Sequence, residues 1–277
     1  MNIDEIIEKA LEEDIGDGDH TSLSTIPGNT LGKARLIAKE DGIVAGCKVA
    51  EKVFKKIDPE TKLNILKEDG TPIIKGEVIL TIEGKQHSIL TAERLALNFM
   101  QRMSGIATFT QKVVEQLDGL DTKVLDTRKT TPLLRELEKY SVKMGGGHNH
   151  RMGLYDMIMI KDNHIDFAGG IERAIDLVKD YLKEKNKDLK IEIEVRDFEE
   201  LEKVMKHGGV HRIMLDNFTP EELRRAISII DRKYETEASG GITLETIRDY
   251  GKSGVDYISV GALTHQIKSL DMSLIAD

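Results

Sequence analysis

The sequence predicts an α/β protein in two parts, a small α+β domain followed by repeated βα units. Two observations predict it. In the first part of the chain, segments 33–46, 62–67 and 77–83 alternate apolar and polar residues between Gly, Asp and Pro breaks, and a helical pattern, Val49 to Ile57, lies among them. In the second part, short apolar runs recur at 123–125, 157–160, 191–195, 212–215, 234–238 and 257–260, and helical patterns separate most of them. The last four are spaced by roughly 22 residues, a suitable length for a βα unit. Repeated βα units imply a parallel sheet, either a barrel or an open doubly wound sheet. Six runs fall short of the eight of a regular closed barrel.

Taken in order, Ile3, Ile6, Ile7, Ala10 and Leu11 share one helical face, so the chain opens on an amphipathic helix. The Gly/Asp loop Asp14 to His20 has the composition of a calcium loop without EF-hand spacing or a closing Glu, and reads as a solvated turn. From Thr91 a long helical pattern runs through Leu95, Leu97, Phe99 and Met100, with Gly105 expected to break or kink it before it resumes to Leu117. The domain boundary is placed there: residues 1–105, then 106–277, with the last residues expected to pack back on the first domain.

Composition narrows the function classes. A net charge of −9 disfavours a general nucleic-acid or anionic-membrane binder, so any anionic ligand must meet a local cationic patch. The single cysteine, Cys47, permits no intramolecular disulfide and fits a reducing compartment, and no apolar run reaches membrane-spanning length. A cytoplasmic protein is expected.

The residues just after each apolar run matter most. Asp126-Thr127-Arg128-Lys129 succeeds the first and Lys161-Asp162-Asn163-His164 the second; Glu194 lies near the end of the third and Asp216-Asn217 succeeds the fourth. Ser239-Gly240-Gly241 and Gly261 stand after the last two. In α/β barrels the carboxyl ends of the strands form the catalytic face. Arg128, Lys129, Arg151 and Lys161 would converge there, with His150 beside them, and call for a phosphate- or carboxylate-rich ligand. The bland alternative for each is a solvated surface charge. Gly145-Gly146-Gly147 permits close approach of backbone to a ligand, or a mobile loop. A metal on His148 and His150 is disfavoured, since no third ligand stands at a typical spacing. Glu194 and Asp216 could hold Mg²⁺, bind ribose hydroxyls or stabilise positive charge, while Glu192, on the same face as Glu194, is a candidate neighbour in a polar interior. Ser239-Gly240-Gly241 and Ser259-Val260-Gly261 offer backbone N–H groups to phosphates.

These residues resemble the core of the quinolinate phosphoribosyltransferase family. The likeness is carried by Thr127-Arg128-Lys129-Thr130 with Pro132, Lys143 to Arg151, Ile160 to His164, Glu93-Arg94 with Asn98, Ser104 to Thr108, the Glu192/Glu194 strand, Met214 to Asn217, Glu237 to Gly241 and Val260 to His265. The resemblance implies an N-terminal α/β sandwich domain and a C-terminal incomplete α/β barrel. It also implies a homodimer, with Arg94 reaching the partner's site and a higher oligomer left open. The implied reaction joins quinolinate to phosphoribosyl pyrophosphate with Mg²⁺, giving nicotinate mononucleotide, pyrophosphate and CO₂. Arg94, Arg128, Lys129, His150, Arg151 and Lys161 then resemble the cationic quinolinate pocket, with Lys161 also near the pyrophosphate, and Thr127 is a further expected substrate-binding residue. Glu194 and Asp216 resemble the carboxylates near ribose and metal, and Ser239 to Gly241 and Ser259 to Gly261 the phosphate loops. Lys129, Lys161, Glu194 and Asp216 are the expected catalytic groups. Gln266 and His211-Arg212 depart from the family's usual residues. The rivals are a paralogue of the same fold acting on another base, a Schiff-base aldolase using Lys161, and a non-catalytic anion-binding module.

Overall fold

The computed structural model describes residues 2–277. The first part holds α1 (Ile3–Ile15), α2 (His20–Thr25), β1 (Leu31–Ala38), β2 (Gly42–Ile43), α3 (Cys47–Ile57), β3 (Lys62–Ile65), β4 (Pro72–Ile73), β5 (Val78–Lys85) and α4 (Gln86–Glu115). Next come β6 (Lys123–Leu125), α5 (Arg135–Met144), β7 (Ile158–Ile160), α6 (Asp162–Ala168), α7 (Ile171–Glu184), β8 (Ile191–Val195), α8 (Phe198–His207) and β9 (Arg212–Asp216). The chain ends with α9 (Pro220–Ile230), β10 (Glu235–Ser239), α10 (Ile247–Gly251), β11 (Tyr257–Ser259), α11 (Ala262–His265) and β12 (Met272–Ala276). Two compact units result. One comprises residues 1–111, 130–146 and 262–277, the other 112–129 and 147–261. The expected cut at 105/106 falls inside α4. Among the described residues no helix is long and apolar enough to cross a membrane.

The first unit is built on an antiparallel sheet of order β12-β1-β5-β3. The last strand of the chain pairs with the first, Ala34 opposite Ala276. Alternation along β1 turns Ala34, Leu36 and Ala38 into the core, where they join Ile7 of α1, Phe54 of α3 and Met100 of α4. Two expectations change here. The Asp14–His20 segment is more than a solvated turn, because Asp19 caps α2 by accepting from the Ser22 N–H at 3.1 Å and from the Thr91 hydroxyl. Gly105 does not break α4, which is continuous through it. A Cβ there would sit 2.3 Å from the Lys268 carbonyl oxygen, so this glycine serves the close passage of residues 268–269. Gly145 is used likewise: a Cβ would lie 2.2 Å from the Ala107 carbonyl oxygen. At this position of the glycine triplet the bare backbone meets another helix rather than a ligand or open loop space.

The second unit is a six-stranded parallel sheet of order β6-β11-β10-β9-β8-β7 flanked by helices. Its outer strands β6 and β7 do not pair with each other, so it is the open barrel the resemblance implies. Beside β6 runs the segment carrying His148, whose N–H donates to the Val124 carbonyl at 2.8 Å. Both faces are buried. Along β8, Ile191, Ile193 and Val195 face one way and Glu192 and Glu194 the other, and all five are buried. Helices start promptly after strands because the sequence supplies caps: Asp197 for α8, and Thr219 with Glu222 and Pro220 for α9. These starts leave the strand ends open to carry chemistry.

Candidate active site

The β period of two sorts the second unit's inward side chains into layers. At the carboxyl ends lie Lys161, Glu194, Asp216 and Ser239. In strand register below them, Glu237 pairs with Met214 and Tyr257, Met214 with Glu194, and Arg212 with Glu192 and Glu235. The top layer is an ordered polar chain. Lys161 Nζ donates to Glu194 Oε2 at 2.5 Å. The Ser239 hydroxyl hydrogen-bonds the Asp216 carboxylate, and Asn217 Nδ2 donates to Asp216 Oδ2 at 2.6 Å. Burial and the neighbouring Glu194 charge raise Asp216 above the ordinary carboxylate range, against the pull of Lys161.

The remaining cations lie in the segments after β6 and before β7 of the same unit. Arg128 and Lys129 are exposed just after β6, in a turn where the Lys129 N–H donates to Thr127 Oγ1 at 3.1 Å. Arg151 is half-buried, and its guanidinium donates to the Met157 carbonyl at 3.3 Å. Burial and the repulsion of Arg128 lower the Arg151 pKa. Two guanidiniums close enough to repel, with no carboxylate ion-paired to Arg128 among the described residues, make a seat for an anion. Arg94 is not in this group; it lies exposed on α4 in the first unit, next to Glu93.

The glycine turn after β10 fits the same surface. Gly240 (φ 102°) and Gly241 (φ 60°) both take left-handed backbone. A Cβ on Gly240 would collide with Asn217 at 2.1 Å, whereas one on Gly241 meets nothing within 4 Å, so backbone there is open to a ligand. Ser259 is buried and its hydroxyl turns to the Ala238 carbonyl at 3.4 Å, which leaves backbone as the means by which Ser259-Val260-Gly261 can meet phosphate.

His150 is deeper than its sequence position suggests. Its side chain is 5% exposed, with Nε2 3.0 Å from Glu192 Oε2 and 3.3 Å from Glu237 Oε2. These three residues meet the geometric requirement for a metal site. The ring's other nitrogen argues against one. Nδ1 accepts the Arg151 N–H at 2.7 Å, so the ring's own proton sits on Nε2, the atom a metal would need bare. Burial opposes a charged ring, but the two carboxylates outweigh it and push His150 up to about 9; against that pull, accepting the Arg151 N–H requires a bare Nδ1 and so the neutral ring. Burial and the Glu237 charge push Glu192 up to about 7. Arg212 closes the cluster from below. It donates to Glu237 Oε2 at 3.0 Å and to Glu235 Oε2 at 3.0 Å, with its guanidinium 4.1 Å from the Tyr257 ring centre.

Sequence reasoning missed Asn217 and Arg212 as contributors and read His150 as a hydrogen-bonding or phosphate-contacting residue; the structure shows its hydrogen bond from the Arg151 N–H. Asn217 carried one signal, since an Asn after a strand-end Asp suits the left-handed φ of 59° it adopts.

An open α/β barrel with a cationic rim and paired carboxylates defines an enzyme of multiply anionic substrates. Comparison supplies the family. Residues 19–104 match the model of the quinolinate phosphoribosyl transferase N-terminal domain and residues 106–275 that of its C-terminal domain, so the chain belongs to this family. It is 46% identical to the chloroplastic nicotinate-nucleotide pyrophosphorylase [carboxylating] of Arabidopsis thaliana, over 98% of this chain and 82% of that protein. It is 45% identical to the probable nicotinate-nucleotide pyrophosphorylase [carboxylating] of Bacillus subtilis, over 95% of this chain and 89% of that one. The crystal structure of NadC from Streptococcus pyogenes superposes with a TM-score of 0.94 at 40% identity, covering 99% of this chain and 97% of the other.

Proposed function

We propose that this chain transfers the phosphoribosyl group of phosphoribosyl pyrophosphate to quinolinate and decarboxylates the product, giving nicotinate mononucleotide, pyrophosphate and CO₂ for NAD synthesis. The observation that carries the reading is the mutually repelling pair Arg128 and Arg151 in the same unit as the Lys161–Glu194–Asp216 chain. A dicarboxylate relieves the repulsion, and the neighbouring carboxylates suit a developing cation.

In this reading Arg128, Lys129 and Arg151 hold the two carboxylates and so orient the ring nitrogen. That nitrogen bonds to the anomeric carbon as the bond to pyrophosphate breaks, through a transition state of oxocarbenium character. Glu194 and Asp216 stabilise the positive charge, and Lys161 faces the departing pyrophosphate. The alkylated, cationic ring then accepts the electron pair left by CO₂, and the vacated carbon takes a proton. No protein nucleophile is required. An imine mechanism at Lys161 is disfavoured, because an ammonium ion-paired to Glu194 is not the free amine it needs.

Mg²⁺ is assigned as the metal, bound with phosphoribosyl pyrophosphate. Glu194 and Asp216 fit it, since Glu194 already raises Asp216 and a divalent cation would relieve both. When bound it supplies charge neutralisation at the pyrophosphate. A homodimer is assigned too, with exposed Arg94 offered to the partner's site; mixing Arg94→Ala with Lys161→Ala subunits would then restore activity that neither has alone. Buried Cys47 fits a reducing compartment, and the cytoplasm is assigned on that ground. The direct test incubates purified protein with quinolinate, phosphoribosyl pyrophosphate and Mg²⁺, and measures nicotinate mononucleotide and CO₂. Equimolar formation of both supports the reading; tight quinolinate binding without pyrophosphate release would replace it with an anion-binding module.

A further inference from the structure

We infer that Glu192 and Glu237 are positioning residues for the dicarboxylate substrate: through His150 they fix the backbone that presents Arg151. The inference rests on the quinolinate reading above.

The chain of contacts is continuous and lies within the second unit. Glu192 of β8 and Glu237 of β10, both fully buried, converge on His150 Nε2. The ring's opposite nitrogen accepts the Arg151 N–H at 2.7 Å, and the His150 N–H donates to Asp126 Oδ1 at 2.8 Å. The Arg151 N–H is therefore held by a ring whose far nitrogen faces Glu192 at 3.0 Å and Glu237 at 3.3 Å. Arg151 needs a tether, because Arg128 repels it and its guanidinium is otherwise held by a 3.3 Å bond to the Met157 carbonyl.

The arrangement is expensive as a purely structural device. Burying a carboxylate costs several kcal/mol, and well-packed apolar side chains commonly serve a core as well or better. Met214, paired in register with Glu237, shows that this interior accepts them. Arg212 compensates Glu237 at Oε2, but neither Glu192 oxygen receives a well-aligned hydrogen bond despite the 3.0 Å approach of His150. A buried carboxylate left so, and aimed at the residue that holds an anion-binding arginine, acts through that residue.

Glu192 is the residue to change, since loss of Glu237 would also strand Arg212. In Glu192→Leu the KM for quinolinate should rise at least tenfold, with the KM for phosphoribosyl pyrophosphate within twofold of wild type. Glu192→Gln keeps an acceptor for the Nε2 proton and should recover quinolinate KM to within about threefold. A scaffolding role predicts otherwise: both KM values would move together, or only thermal stability would change, and either result overturns the inference. If Glu192→Leu does not fold, nitrogen-15 NMR of His150 in the wild-type enzyme decides. A bare Nδ1 and protonated Nε2 are expected; a protonated Nδ1 breaks the chain and overturns it. A wild-type enzyme inert towards quinolinate would instead sink the functional reading, so the two failures are distinguishable.

Discussion

The rim of the barrel and the layer beneath it hold similar numbers of charges and treat them oppositely. On the rim, Arg128 has no carboxylate partner among the described residues and repels half-buried Arg151. Beneath it, Arg212 is bonded to Glu235 and Glu237 and stacked on Tyr257, and His150 meets two carboxylates. Charge that a fold leaves uncompensated is available to a ligand, whereas charge it compensates is holding something still. The same residue types thus do different work a few ångströms apart, and only burial and partners tell them apart.

Three experiments put this contrast at risk. The largest effect is expected on the rim. Arg128→Ala should lower kcat/KM for quinolinate about 10²- to 10³-fold, from loss of a charge-assisted contact worth roughly 3–4 kcal/mol. Its unfolding free energy should change by less than about 0.5 kcal/mol, because the side chain is exposed and unpaired. Steady-state kinetics and urea unfolding read the two halves. The reverse is expected below. Arg212→Met should cost about 3 kcal/mol of stability by stranding Glu237, and adding Glu237→Leu should recover part of that loss. A double variant less stable than Arg212→Met would refute the compensated description. The smallest effect concerns the carboxylates at the boundary. Burial and Glu194 raise Asp216, so it keeps its proton to higher pH than an ordinary Asp. Removing the Glu194 charge in Glu194→Gln should let Asp216 ionise at lower pH, readable by carbon-13 NMR titration of its carboxyl. An unmoved titration would show that the two do not interact.

Much of the second unit is legible in the sequence alone. The six apolar runs of the second half match β6 to β11 within a residue or two, because strands buried on both faces write themselves as short apolar stretches. The strand-end residues Arg128, Lys161, Glu194, Asp216 and Ser239 are legible for the same reason, position following from strand register. Three features are not. Gly105 reads locally as a helix breaker, and only the chain passing at residues 268–269 explains a glycine in an unbroken helix. The glycine at 145 reads as a ligand loop until the Ala107 carbonyl is seen against it. The inward turn of His150 depends on Glu192 and Glu237, and no local pattern joins residues so far apart in the chain.

The central claim is that the rim seats two carboxylates. The most direct measurement is the ratio of kcat/KM for quinolinate to that for nicotinate, with phosphoribosyl pyrophosphate and Mg²⁺ held constant. Nicotinate lacks the second carboxylate, so a site built around uncompensated cations should favour quinolinate by a factor of at least about 10³, each buried charged contact being worth roughly 2–5 kcal/mol. A ratio near one would show that Arg128 and Arg151 do not read the second carboxylate, and would contradict that claim.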